Sequence, residues 1–367
     1  MSSNKCRSEI LILMAGSNRA GQEVLVKELI QEFMRRGISC CLMTLFKGSL
    51  FNDLEVYYPR GFTPTSGRRL FRVLPVISRL LFQIFKIKPA QIHIHGLGFE
   101  RLLPLINFLS PSSIISIIVH NNVNTESSPY LQRASYFNRN TSYISNIVYI
   151  TDEVGLNFEQ NIGILTKNSY VINNGISIPK QEYVYNNLTN KSSIKLCQVG
   201  RLNEQKNQIL SLQVIAELRQ KGYEVVLDIY GEGPLKNLIE KEIMELSLNK
   251  HVFLKGLVND IRERFLEYDA LLFTSHYEGF PITLIEACMI GIPVFALPCP
   301  GIIDLFEDNA CSGVYIGTEY SKRSMSMMLE EAFKNGVSYD DVAELREEFK
   351  RLYNIELIAD KYLNSLG

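Results

Sequence analysis

An α/β fold of two domains, each a parallel sheet covered by helices and facing the other across a cleft, is what this 367-residue sequence predicts. Three observations lead there. Short apolar runs alternate with amphipathic ones through the first half, the βαβ pattern of a parallel sheet with helices on both faces. A polar stretch at 180–193 interrupts the pattern. The same alternation then restarts. The length suits two domains, and 46% apolar residues supply their cores.

In the first half the strand candidates are 9–15, 39–45, 91–95, 114–120, 146–150 and 170–172, each a short apolar run. Helices are expected over 21–36, 68–86, 100–109 and 152–160, where apolar positions recur at helical spacing. In the second half strands are expected at 195–199, 225–230, 251–255, 270–274, 293–297 and 313–316. Helices are expected at 208–221, 234–246 and 260–268, with a charged helical tail at 338–366. The domains are therefore 1–178 and 194–349, joined by a linker at 179–193, with a last helix near 350–367 packing back on the first domain.

Net charge is −1, but its two halves differ. Residues 1–180 hold 19 Lys/Arg and 11 Asp/Glu, whereas residues 181–367 hold 19 and 28. The basic half points to an acidic partner, nucleic acid or anionic membrane. The seven cysteines form no CxxC pair and one is left over, which fits buried reduced thiols in a cytosolic protein. The apolar run 10–15 is too short for a secretory signal and reads as the first strand. No run of 18 apolar residues occurs, so no membrane span is expected.

Strand-end loops of the second half carry the chemistry. Strand 270–274 leads into Glu278-Gly279-Phe280-Pro281-Ile282-Thr283-Leu284-Ile285-Glu286, a glycine turn opening an apolar helix. Such a unit aims backbone N–H groups and a helix dipole at an anion beyond the strand. The carboxylates of Glu278 and Glu286 repel an anion, so they are matched to hydroxyls instead. A phosphate and polyols bound together suggest a sugar nucleotide. The alternative is simple charge complementarity at a helix start, about 0.3–1 kcal/mol. Strand 195–199 runs into Gly200-Arg201, with Lys206 five positions on. Two such cations suit a diphosphate, clamped bidentately by Arg and met by the compact charge of Lys. A solvated basic loop is the bland alternative. Gly231-Glu232-Gly233-Pro234 and Gly256-Leu257-Val258 follow the next two strands and would let backbone approach a base or phosphate.

In this order, these motifs resemble the family 4 glycosyltransferases, retaining enzymes of the GT-B architecture with two Rossmann-like domains, here of a bacterial surface-polysaccharide type. The resemblance is strongest over 195–305. It implies that Arg201 and Lys206 bind the donor diphosphate and that Glu278 contacts donor sugar hydroxyls near the reacting carbon. It implies that Glu286 holds the ribose, that Gly279, Phe280 and Pro281 line the sugar site, and that Thr283 and Leu284 meet the phosphate. Gly200, Gly231, Gly233, Leu257 and Val258 would complete the donor site.

In the first half, Gly16 and Gly21 stand in the family's glycine-rich loop, which is stiffened here because Ala20 replaces a glycine. His120 resembles the family's active-site histidine, although Asn121 follows where an acid is usual. A core histidine at a strand end is the other reading of His120. His93 and His95 share a strand face but lack a third ligand, so no metal site is expected and His95 reads as a cleft-edge residue. Asn174-Gly175 resembles the family's hinge, with Ser177 replacing its aspartate. No DxD triplet occurs, which fits Arg201 and Lys206 replacing a divalent ion.

Arg68, Arg72, Arg79 and Lys86, spaced 4, 7 and 7, fall within about 40° of one another on a helix whose other directions are apolar. That pattern suits a segment lying on an anionic membrane, or an ordinary domain helix with a solvated basic face. Pro75 predicts a kink. No basic motif interleaved with aromatics supports nucleic acid.

The expectation is a cytoplasmic glycosyltransferase, peripheral at the inner face of the membrane, in polysaccharide or lipopolysaccharide biosynthesis. It would move a hexose from a UDP-sugar, a UDP-hexose or UDP-N-acetylhexosamine, to a glycan or lipid-linked acceptor, with no cofactor and no metal. The alternatives are an epimerase or phosphorylase of the same architecture, or a non-catalytic sugar-nucleotide-binding subunit.

Overall fold

The computed structural model describes residues 9–14, 21–44, 56–57, 69–120, 136–162, 168–179, 183, 188–189, 191–258, 260–307 and 313–366. The chain divides into two compact units, 1–177 with 353–367, and 178–352.

In the first unit the strands are β1 (Ile10–Met14), β2 (Cys40–Thr44), β3 (Val56–Tyr57), β4 (Gln91–His95), β5 (Ile114–Val119), β6 (Asn146–Tyr149) and β7 (Ser169–Val171). They form one sheet in the order β3-β2-β1-β4-β5-β6-β7, and all its pairings are parallel. The helices are α1 (Gly21–Arg35), α2 (Arg69–Ile87), α3 (Leu103–Leu109) and α4 (Asp152–Ile162). Every residue of β1 is buried, as expected of a central strand covered on both faces.

In the second unit the strands are β8 (Ile194–Val199), β9 (Val225–Tyr230), β10 (Val252–Gly256), β11 (Ala270–Phe273), β12 (Val294–Ala296) and β13 (Val314–Ile316), in the order β10-β9-β8-β11-β12-β13. These pairings too are parallel. The helices are α5 (Gln208–Gln220), α6 (Lys236–Glu245), α7 (Arg262–Phe265), α8 (Ile282–Ile290), α9 (Ile303–Glu307), α10 (Lys322–Asn335) and α11 (Tyr339–Tyr353). Leu196, Leu212, Leu227, Ile229, Leu272, Phe295 and Leu329 lie in one buried cluster between sheet and helices. The last helix, α12 (Ile355–Leu366), belongs to the first unit. It lies against Gly175, where an added Cβ would come within 2.8 Å of the Ile355 Cα. Arg36 ties it to α1 through the Glu356 carbonyl and the Asp360 carboxylate.

The structure departs from the sequence expectation in several places. α3 starts at Leu103 rather than at 100, because the Glu100 carboxylate turns back to accept the Gly98 N–H at 2.6 Å. The helix expected over 260–268 is only α7, and the Asp260 side chain accepts the Arg262 N–H ahead of it. α10 was not expected, although Ser321 caps it by accepting the Ser324 N–H at 3.1 Å. β3 is two residues long and carries no readable period. In the polar stretch 180–193, Tyr183 and Leu188 are buried. α2 runs through Pro75 as one helix.

Candidate active site

In both sheets the strand order reverses between neighbouring central strands, β1 and β4 in one and β8 and β11 in the other. At such a point the loops leaving the carboxyl ends diverge and open a crevice for a ligand. In the second unit the loops beyond β8 and β11 carry Arg201, Lys206 and Glu278.

The loop after β8 is shaped by its asparagines. Asn203 accepts the Lys206 N–H at 3.2 Å. Asn207 takes φ 45° and caps α5 with its side chain, a left-handed conformation that Asn tolerates better than most residues. Gln198 donates to the Lys206 carbonyl at 3.1 Å and to the Thr274 hydroxyl at 2.9 Å. The Thr274 hydroxyl also lies 3.1 Å from the Lys206 and Asn207 carbonyls. Tyr320 donates to the Thr274 carbonyl at 2.7 Å and stacks on His276. The His276 N–H bonds the Gln205 carbonyl at 2.8 Å, and the Gln205 amide returns to the Tyr277 carbonyl. The two loops are thus laced together by Gln198, Gln205, Thr274 and Tyr320, none of which stands out in the sequence.

This lacing brings two predicted residues together. Lys206 Nζ lies 2.6 Å from Glu278 Oε1, with their side chains 18% and 6% exposed. The ammonium also sits 5.4 Å from the centre of the Phe273 ring. Arg201 is exposed at the loop's edge, its carbonyl accepting from Gln208. Glu286 is buried on α8, with Arg262 Nε 4.0 Å away. Arg262 also grips Asp260 at 2.9 and 3.1 Å. Burial raises the Asp260 carboxyl pKa, but Arg262 more than offsets this and holds it below its ordinary value.

The glycines act differently from the expectation. Gly231 has φ +136°, and an added Cβ would meet the Gly200 carbonyl at 2.0 Å. At Gly233 it would meet the Leu202 carbonyl at 2.3 Å. The Gly231-Glu232-Gly233 loop therefore admits the neighbouring loop's backbone, locked by Leu202 N–H to the Glu232 carbonyl and Leu235 N–H to the Leu202 carbonyl. The close approach read from the sequence as approach to a base or phosphate is, at these two positions, loop against loop. Gly301 plays the same part against Glu278, where a Cβ would lie 2.1 Å from the Glu278 carbonyl. The sequence reading did not single out Gly301.

Among the first amides of α8, Ile282's bonds the Phe280 carbonyl, and those of Leu284 and Ile285 bond the Pro281 carbonyl. The Leu284 amide expected to meet phosphate is thus already bonded within the turn. Phe280 and Pro281 are buried, Gly279 and Thr283 half-buried. Leu257 is exposed and Val258 half-buried beyond β10.

In the first unit Gly16 lies outside the described residues, and Gly21 opens α1. His120 stands at the end of β5, with its Nε2 2.9 Å from His95 Nδ1. His95 is not a cleft-edge residue: it is buried, and its rings stack with His120 at 5.2 Å. Burial drives His95 well below the ordinary imidazole range, helped by His120 and His93. Desolvation alone takes His120 down to about 4 and His93 to about 4. Both imidazoles of the pair are neutral near pH 7, so one donates and the other accepts. His95, His120, Asn174 and Tyr362 line a cavity with room for about one water. Among the described residues no group of three His, Cys, Asp or Glu is placed to hold a metal ion.

Comparison with known proteins places this geometry. Residues 179–351 match the model of the glycosyl transferases group 1, so the chain carries a domain of that family. Poly(ribitol-phosphate) alpha-N-acetylglucosaminyltransferase of Staphylococcus aureus is 25% identical over 254 residues, 68% of this chain and 49% of that protein. The chain thus spans about half the length of that relative. Among solved structures, Anabaena HepE in complex with UDP and glucose superposes with a TM-score of 0.77 at 16% identity, covering 98% of this chain and 99% of that one. Staphylococcus aureus TarM, in complex with Fondaparinux, alpha-GlcNAc-glycerol and UDP, does so at 0.77 and 15%, over 98% and 100%. At these identities the superpositions establish a shared fold, the two-domain GT-B architecture.

Proposed function

We propose that the protein is a retaining glycosyltransferase that moves a hexose or N-acetylhexosamine from a UDP-sugar to a growing cell-surface glycan or lipid-linked acceptor. The observation that carries the reading is the meeting of Lys206 and Glu278 at the reversal point of the second sheet. A cation suited to a diphosphate and a carboxylate suited to hydroxyls lie side by side, as a nucleotide-diphosphate sugar requires. The family match over 179–351 supports it, as do the UDP complexes of the structural neighbours.

In this reading Arg201 and Lys206 take the charge that develops on the departing diphosphate, in place of a divalent ion. The diphosphate itself helps accept the proton of the incoming hydroxyl, on the face it leaves, and the anomeric configuration is retained. Glu278 orients the donor sugar and Glu286 holds the ribose. His120 completes the catalytic set that the resemblance implies. A panel of nucleotide sugars and acceptors with purified protein tests the reading. Transfer to acceptor from one donor is expected; conversion of a donor without acceptor identifies an epimerase, and binding without turnover a non-catalytic subunit.

A membrane-facing role for the first unit is part of the proposal. α2 buries Leu80, Ile84 and Ile87. Its other face exposes Phe82 and Phe85 at 61% and 53%, beside exposed Lys86 and Lys88. Leu105 and Phe108 of the adjoining α3 are exposed as well. Aromatic and basic groups on one face suit an anionic bilayer surface. The side chains of Arg72 and Arg79, and all of Arg68, lie outside the described residues. Among the described residues no helix is long and apolar enough to cross a membrane. Anionic vesicles should co-sediment the protein in a salt-dependent way, and Phe82→Ser with Phe85→Ser should weaken that binding at least tenfold. No binding even at low salt overturns this part.

A further inference from the structure

The Lys206–Glu278 contact has consequences for ligand choice. Without ligand, each charge is satisfied by the other across 2.6 Å, and neither side chain is more than 18% exposed. Glu278 is the fixed partner. Its N–H is held by the Pro300 carbonyl at 3.0 Å, and Gly301 packs against its own carbonyl. The Lys206 backbone is equally fixed by Gln198 and Thr274. What can move is the Lys206 ammonium on its flexible four-carbon stem.

We propose that this ion pair makes the site select an intact nucleotide-diphosphate sugar over the spent nucleotide diphosphate. The inference rests on the reading above, in which Lys206 meets the diphosphate and Glu278 the sugar. A diphosphate that draws Lys206 away leaves Glu278 as a nearly buried carboxylate with its counter-charge gone and new negative charge nearby. Removing one partner of a buried pair is strongly unfavourable. The sugar of an intact donor reverses this, because its hydroxyls donate hydrogen bonds to Glu278 in place of the ammonium. Donor binding thus exchanges one satisfied arrangement for another, whereas the nucleotide diphosphate alone breaks one. Once the sugar has been transferred, Glu278 takes Lys206 back and the diphosphate loses its cation. The pair therefore weakens product binding as well as favouring donor.

Titration calorimetry on the full chain tests this with UDP and UDP-sugars, with ADP, GDP and inorganic pyrophosphate alongside so that another base preference is seen. Glu278→Gln keeps the side chain's size and an acceptor oxygen but frees Lys206. It should bind the nucleoside diphosphate about tenfold or more tighter than the wild type, the scale of one charge-assisted hydrogen bond. Its affinity for the intact donor should not rise, so the preference for donor over diphosphate collapses. Lys206→Met should weaken diphosphate binding at least tenfold. If Lys206→Met binds diphosphate as the wild type does, or the wild type binds none of these ligands, the functional reading fails and the inference with it. If Lys206→Met weakens binding but Glu278→Gln does not tighten it, the functional reading stands and the selection mechanism is overturned.

Discussion

At the carboxyl edge of the first sheet two imidazoles, His95 and His120, face each other across 2.9 Å with almost no exposure to water. At the corresponding edge of the second, Lys206 and Glu278 meet across 2.6 Å as opposite charges. The strand orders around the two places are the same, 3-2-1-4-5-6, with one added strand in the first unit. Topology therefore supplies a position and leaves its chemistry open. Two imidazoles buried together have no opposite charge to offset lost hydration, so desolvation drives them neutral. Beside an opposite charge, burial strengthens the attraction between the partners and raises the penalty for separating them. The first site is suited to hydrogen bonding, the second to holding and exchanging charge.

The largest effect that would break this comparison is loss of the cations. Arg201→Ala should lower the transfer rate roughly 100- to 1000-fold or more, the scale of one lost electrostatic donor. Its unfolding temperature should not move, because Arg201 is exposed. Lys206→Ala should lower transfer as much and also destabilise the second unit by about 3 kcal/mol, by stranding Glu278. Single-turnover rates beside thermal unfolding separate the two effects. Near-normal transfer in either variant removes it from the site.

Next in size is the packing of the second unit's loops. Gly231→Ala places a Cβ 2.0 Å from the Gly200 carbonyl at φ +136°. A cost of about 3 kcal/mol or more is expected for the forced backbone shift. Urea denaturation measures it, and a change under 1 kcal/mol would show that the loops yield freely.

The smallest effect sharpens the comparison through pH. Unfolded histidine titrates near 6.5, whereas His93 and His120 are held at about 4 in the fold. Below about pH 6.5 the unfolded chain therefore binds more protons. The histidine contribution is complete above that value and is lost as pH falls toward 4, by up to roughly 3 kcal/mol for each. Peptide-resolved hydrogen exchange between pH 7 and 4.5 should show protection falling first in residues 9–177 and 353–366. Equal losses in both units would count against the buried imidazoles as the cause.

Most of the second unit's elements are legible because local patterns carry them. β11 reads as a strand from four consecutive buried apolar residues, and α8 from the apolar run after a glycine turn. α10 was legible too, through the serine cap and the apolar positions 325, 329, 332 and 333. The short β3 was not, since two residues hold no period. Lys206 and Glu278 were identifiable one at a time, from spacing within their own loops. Their pairing was not, because 72 residues separate them.

By itself the sequence determined two parallel-sheet domains, the strand ends that carry chemistry, and the residue types placed there. These follow from hydrophobic period, glycine turns and cap residues, all of which act over a few neighbours. The tertiary structure alone decided three things. It put Lys206 on Glu278, turned His95 inward onto His120, and used Gly231, Gly233 and Gly301 to bring backbones together. Each is a contact between strand-end loops distant in sequence, fixed when parallel strands align their carboxyl edges, and no local pattern of residues encodes it.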